Sequence, residues 1–413
     1  MGNIMDYISW RGDLSFEQSQ FNEVDNLILA CFSYVNLDGI SAVTEQKGIG
    51  LKKLTKEFMK LHTMKELEAD KSFIRLAPLM MMEMAKSVRF GKCVVRNYVN
   101  DIVTEAEQQF AAMEIVLEDG TSYVSFRGTD DTIIGWKEDF NLSTGVVPAQ
   151  KRAIEYLQKI SEHTDGMLRV GGHSKGGNLA IYGSVMCKSA HEKILEIYSN
   201  DGPGFSREFQ ELPEMKEMMP KIIRIIPEYS IIGTLLEHEK EPVIVASSSK
   251  GLLQHDGFSW EVQGPALVRR DSLNKTALRF IEILHKWIDG MDTEQKRLLI
   301  EDLFATLQAS GYENLSEVQS GGLKSLAAMV KRVEKFAPES RGMMQELLTA
   351  ICGGWLEQLQ ADTKDKLSVL PLSFSDKILE KILNFWYYII GNDTSKYCCK
   401  MQKKYTVKGE HYE

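Results

Sequence analysis

The sequence predicts an α/β fold built on a mostly parallel central sheet. From Cys93 to about Ala246, strand-length apolar runs alternate with helical patterns, and a sharp loop closes each run. On either side of this region the period is helical, which adds a helical N-terminal segment and an appended C-terminal helical domain.

In order along the chain, residues 1 to 92 read as helices. Asn26 to Phe32 has the apolar density of a buried helix, and Gly48 to Met64 mixes an apolar repeat with lysines, as an amphipathic helix does. Methionine-rich Leu79 to Met84 reads as helix core, because methionine fills irregular gaps. Strands are expected at Val94 to Thr104, Gln108 to Leu117 and Thr121 to Phe126, with Glu118-Asp119-Gly120 as a hairpin turn. A helix over Ala149 to Glu162 leads to the apolar run Met167 to Val170 and a helix over Asn178 to Lys188. Strands follow at Ile194 to Ser199, Lys221 to Ile226 and Pro242 to Ala246. Beyond about Val268 the strands stop, and Lys275 to Ile288, Thr293 to Ser310, Leu323 to Phe336, Arg341 to Leu359 and Asp376 to Ile390 read as helices. The expected division is therefore 1–270 for the α/β part and 271–413 for the helical part.

Composition narrows the function. With 413 residues, 43% hydrophobic and 26% charged, the chain is an ordinary globular sequence with room for two domains. Its net charge of -9 argues against a nucleic-acid binder that works by general electrostatics. No basic stretch followed by an apolar core opens the chain, and Asp6 stands where myristoylation after Gly2 would want a hydroxyl. The longest apolar run, Ile382 to Ile390, is far below the roughly 20 residues of a spanning helix, so a cytoplasmic protein without a transmembrane segment is expected. Six scattered cysteines form no disulfide or zinc spacing, and no metal or organic cofactor is implied.

One stretch carries chemistry. Gly172-His173-Ser174-Lys175-Gly176 is G-x-S-x-G, set between a strand pattern and a helical pattern. A chain of this length holds that pentapeptide by chance about one time in seven, so the weight falls on its strand-to-helix context. In that context the turn is a nucleophile elbow: the serine is forced into strained geometry with its Oγ exposed beside a helix N-terminus, which favours a developing oxyanion.

A serine needs a base, and the base usually needs a carboxylate to orient it. The order serine, acid, histidine of an α/β-hydrolase fold limits the histidine to His191, His238 or His255. His191 lies at the far end of the helix after Ser174, and His238 sits in a charged turn. His255, in the loop beyond the last strand pattern, is the best placed. For the acid, Asp201 and Glu228 each begin a loop after a strand, with Asp256 third, and Asp201 is equally suited to an Asx-type turn within Asp-Gly-Pro-Gly. Oxyanion donors would be the N–H of Lys175 and the Gly128-Thr129 loop.

Phe126-Arg127-Gly128-Thr129 with Trp136 and Asp139, followed by Gly172 to Ala180, resembles the class 3 (fungal-type) lipases. The opening Asp6 to Phe16, Asn200 to Phe205 and Gln254-His255-Asp256 are similar to the bacterial Mbeg-like family of α/β-hydrolase-like proteins. The resemblance covers most of residues 1 to 270 and implies Ser174 as nucleophile, His255 as base, and Thr129 with Lys175 as oxyanion donors. It departs from the lipases at two places. Ser230 lies near the position where those enzymes carry their aspartate, which is why Asp201 leads, and Lys175 stands where an apolar residue is usual, either to favour an anionic substrate or to point to solvent. The expected function is a serine hydrolase acting on an ester or thioester, including a lipid acyl ester, through an acyl-enzyme. The rivals are a binding or scaffold protein on the same fold, and a peptidase or acyltransferase using the same serine.

Overall fold

The computed structural model describes residues 1–70, 72–103, 108–129, 146–236, 238–275 and 293–312, with isolated positions beyond 275. Its first two helices start where an asparagine caps them. Asn3 opens α1 (Ile4–Arg11) and Asn22 opens α2 (Glu23–Phe32), each in a reciprocal capping box with an aspartate three residues on. Every residue of α2 from Val24 to Phe32 is buried, as its sequence anticipates. Then come α3 (Leu51–Leu61), α4 (Met64–Ala69) and α5 (Leu76–Lys86), the last burying Met80, Met81 and Met84.

Eight strands form one sheet in sequence order. They are β1 (Ile49–Gly50), β2 (Val94–Val103), β3 (Gln108–Val116), β4 (Ser122–Phe126), β5 (Leu168–His173), β6 (Ile194–Asn200), β7 (Ile222–Pro227) and β8 (Val243–Val245). The first three pairings are antiparallel and the four from β4 to β8 are parallel. The parallel half needs crossovers, supplied by α6 (Pro148–His163), α7 (Lys175–Met186) and two short helices, α8 (Arg207–Gln210) and α9 (Pro213–Met218).

Alternation along the strands splits the core in two. Phe110, Val124, Phe126, Val170 and Ile197 face α6 and α7. Met113, Ile115, Tyr123, Tyr198 and Ile225 face the N-terminal helices, against Leu27, Ile28, Phe32 and Met80. The N-terminal segment is thus one covering layer of the sheet. It is locked by the fully buried pair Arg89–Asp25, with Nε–Oδ1 at 2.6 Å and Nη2–Oδ2 at 2.5 Å. The same guanidinium donates to the carbonyls of Leu14, Ser15, Ser19 and Gln20 and lies over the Phe16 ring.

In the parallel half, Phe126 pairs with Gly172, His173 with Asn200, and Asn200 with Ile225. The carboxyl ends of four strands are therefore level, and the loops after them gather at one edge. Three features depart from the sequence reading. β1 and the hairpin β9 (Val262–Gln263) with β10 (Ala266–Leu267) are two-residue strands with no legible alternation, and α7 begins at Lys175 rather than Asn178. α10 (Thr293–Gln308) agrees with the expected Thr293 to Ser310 helix, whereas the other expected C-terminal helices lie outside the described residues or are described at isolated positions.

Candidate active site

Ser174 stands between the end of β5 and the first residue of α7, with φ 56 and ψ -133, a region a non-glycine residue occupies only under constraint. The constraint is visible: its N–H donates to the Asn200 carbonyl at 2.9 Å, and its own carbonyl accepts from Gly177 N–H at 2.8 Å. Close packing explains the flanking glycines. A Cβ on Gly172 would lie 2.4 Å from the Gly176 carbonyl carbon, and one on Gly176 would lie 2.1 Å from the Phe126 carbonyl oxygen.

Asp201 follows β6 directly, also at positive φ (50), and its N–H donates to the Ile225 carbonyl. Its carboxylate leaves its own loop. Oδ2 meets His255 Nδ1 at 2.7 Å, and Oδ1 accepts a short hydrogen bond from Ser230 Oγ. Both Asp201 and His255 are buried. Ser230, near the position where the lipase resemblance expects the acid, instead donates to it. Glu228 turns away, its carboxylate 3.4 Å from Arg270 Nε and partly exposed. Asp256 accepts Phe258 N–H at 2.9 Å and caps the next turn.

His255 ends a 3-10 turn, Gly251–His255, whose neighbour Gln254 accepts from Tyr229 N–H and from Trp260 Nε1. Its ring lies 4.6 Å from that of His173, the residue before Ser174. The His255 carbonyl is 2.7 Å from His173 Nε2, and His173 Nδ1 is 2.8 Å from the Tyr34 hydroxyl. Burial and the neighbouring His255 push the His173 imidazole well below its ordinary value, so it is neutral. His191 is spent elsewhere, between Glu217 and the Val185 carbonyl.

Gly128 backs onto Ser174: a Cβ there would lie 2.3 Å from the His173 carbonyl oxygen and 3.0 Å from Ser174 Cβ. Thr129 is buried beside it, and Lys175 is buried too, so it does not point to solvent. Trp136 and Asp139 lie outside the described residues. Among the described residues, no helix is long and apolar enough to cross a membrane.

The roles of Tyr34, His173 and the pair Asn26–Asn200 escaped the sequence reading, as did the hydrogen bond from Ser230 to Asp201. Asn26 Nδ2 donates to Asn200 Oδ1 at 2.9 Å, and Asn200 Nδ2 donates to the Gly172 carbonyl at 3.0 Å. A histidine inside the glycine-serine motif was the one local signal.

Among solved structures, the chain is similar to the Rhizomucor miehei lipase in complex with its propeptide, at 17% identity and TM-score 0.28, over 37% of this chain and 57% of that one. It is similar to the Lip2 lipase of Yarrowia lipolytica at 14% identity and TM-score 0.27, over 37% of this chain and 65% of that one. The chain thus spans less than two thirds of either. The M37 lipase is matched at 15% identity and TM-score 0.33, over 79% of this chain and 96% of that one. No curated protein matches the sequence. The family model described as Mbeg1-like matches residues 84–305, more than half of the chain, and the protein belongs to the Mbeg1-like family.

Proposed function

We propose that the protein is a serine hydrolase that cleaves an ester or thioester through an acyl-enzyme on Ser174. The observation that carries this reading is the 2.7 Å contact between His255 Nδ1 and Asp201 Oδ2, beside a serine held at φ 56 on a strand-to-helix turn. With Nδ1–H committed to Asp201, Nε2 is the nitrogen that takes the Ser174 proton as Oγ attacks the carbonyl carbon. The buried Asp201 carboxylate, in contact with Nδ1, stabilises the imidazolium formed in that step. The carbonyl oxygen becomes an anion received by the Lys175 N–H at the start of α7 and by Thr129. The imidazolium then protonates the leaving group. Water, deprotonated by the same histidine, attacks the acyl carbon and releases the acid and Ser174.

We take a lipid acyl ester as the favoured substrate class, on the motif resemblance to the class 3 lipases. We also divide the chain, as a proposal, into a hydrolase unit over 1–270 and a helical unit over 271–413. A series of p-nitrophenyl esters of increasing acyl length tests the activity. The wild type is expected to turn over at least one member and Ser174→Ala none above background. Equal turnover by both would remove Ser174 from the chemistry.

A further inference from the structure

The backbone carbonyl of His255 can only accept a hydrogen bond, so the contact at 2.7 Å puts the proton of His173 on Nε2. A neutral imidazole with Nε2–H has a lone pair on Nδ1, and there the Tyr34 hydroxyl must be the donor, at 2.8 Å. Tyr34 comes just after α2, outside the family match over residues 84–305. Its hydroxyl is packed against the Gly128 backbone, 2.5 Å from where a Cβ would stand.

We propose that Tyr34 and His173 form a positioning pair for His255: the Tyr34 hydroxyl donates to His173 Nδ1 and holds the ring, whose Nε2–H holds the His255 backbone beside the Ser174 turn. The N-terminal helical segment thereby belongs to the catalytic apparatus. This rests on the reading of Ser174 as nucleophile and His255 as base. Without the Tyr34 hydroxyl, His173 Nδ1 loses this donor, and the ring is held less firmly against the His255 carbonyl.

Three variants of the full chain test the pair on p-nitrophenyl butyrate. Tyr34→Phe is expected to lower kcat about tenfold with KM within about twofold, and His173→Leu, which lets the histidine loop shift, to lower it about a hundredfold. His173→Gln keeps an N–H for the carbonyl and is expected to stay within about fivefold of wild type. Histidine 15N spectra give a readout independent of turnover: His173 is protonated at Nε2 in both proteins, and its Nδ1 resonance shifts in Tyr34→Phe as the hydrogen bond from the hydroxyl is lost. Wild-type kcat in Tyr34→Phe and His173→Leu, or equal losses in Gln and Leu, would overturn the pair while leaving the hydrolase reading intact. If the wild type shows no esterase activity, the hydrolase reading fails first. A His173 Nδ1 resonance unchanged in Tyr34→Phe then overturns the pair as well, and a shifted one upholds its hydrogen-bond geometry.

Discussion

Among single residues, one carboxylate reaches His255 and another does not. Asp201 touches Nδ1 and Glu228 pairs with Arg270. Asp201→Asn is therefore expected to lower kcat/KM about a thousandfold or more, by disturbing the tautomer and charge of His255, and Glu228→Gln to change it by less than about twofold. Steady-state kinetics on one ester decide between them. Both carboxylates begin loops after neighbouring parallel strands, so their placement in the sequence kept both in play, with Asp201 ahead. What separates them is the direction of a side chain at positive φ, and spacing does not encode that. His173 makes a second prediction. Its folded pKa is depressed by burial, below the ordinary value of about 6.5, so the unfolded chain binds the proton more readily. The stability this neutral imidazole contributes is whole above about pH 6.5 and declines below it, by at most about 1.4 kcal/mol per pH unit. His238, held down by burial and by Arg224, adds in the same direction. Urea denaturation from pH 8 to pH 5 is expected to show this loss, and His173→Gln to flatten it.

At the scale of elements, the strand-to-helix turn and the N-terminal layer each depend on a few contacts. The glycine pair around Ser174 lets the start of α7 sit against the end of β4. Gly176→Ala would place a methyl 2.1 Å from the Phe126 carbonyl oxygen and is expected to destabilise by about 1–3 kcal/mol. Arg89 is the other such point. Arg89→Ala leaves the buried Asp25 carboxyl without its counter-charge and releases four carbonyls, an expected loss of about 3–5 kcal/mol in urea unfolding. The long elements were legible, because alternation over β3 and the apolar density of α2 leave few alternatives. The first turn of α7 was not, since Lys175-Gly176-Gly177 has poor helix propensity and becomes helical only because the turn fixes its direction. Two-residue strands such as β1 carry no period at all.

At the scale of the whole molecule, the sheet is a two-faced layer, and one face is covered by residues that precede the family match. Leu27, Ile28, Phe32, Leu54, Phe58 and Met80 are all buried there, each contributing on the order of 1.5–3 kcal/mol of burial. A fragment over 84–305 exposes that face, and it is expected to lack the cooperative thermal transition and near-UV dichroism that 1–305 retains. The sequence showed helices before the strands and the order of the site residues, but not that Tyr34 and His173, 139 positions apart, meet in the folded chain. Contacts between a buried tyrosine and a motif histidine leave no trace in periodicity. In the proposed function, this architecture raises one serine to a nucleophile. Reaction with diethyl p-nitrophenyl phosphate followed by peptide mapping puts this to the test. A single phosphorylated residue, Ser174, is expected, formed at a rate that collapses in His255→Gln; an unmodified Ser174 peptide, or an adduct formed equally fast without His255, would overturn the proposed chemistry.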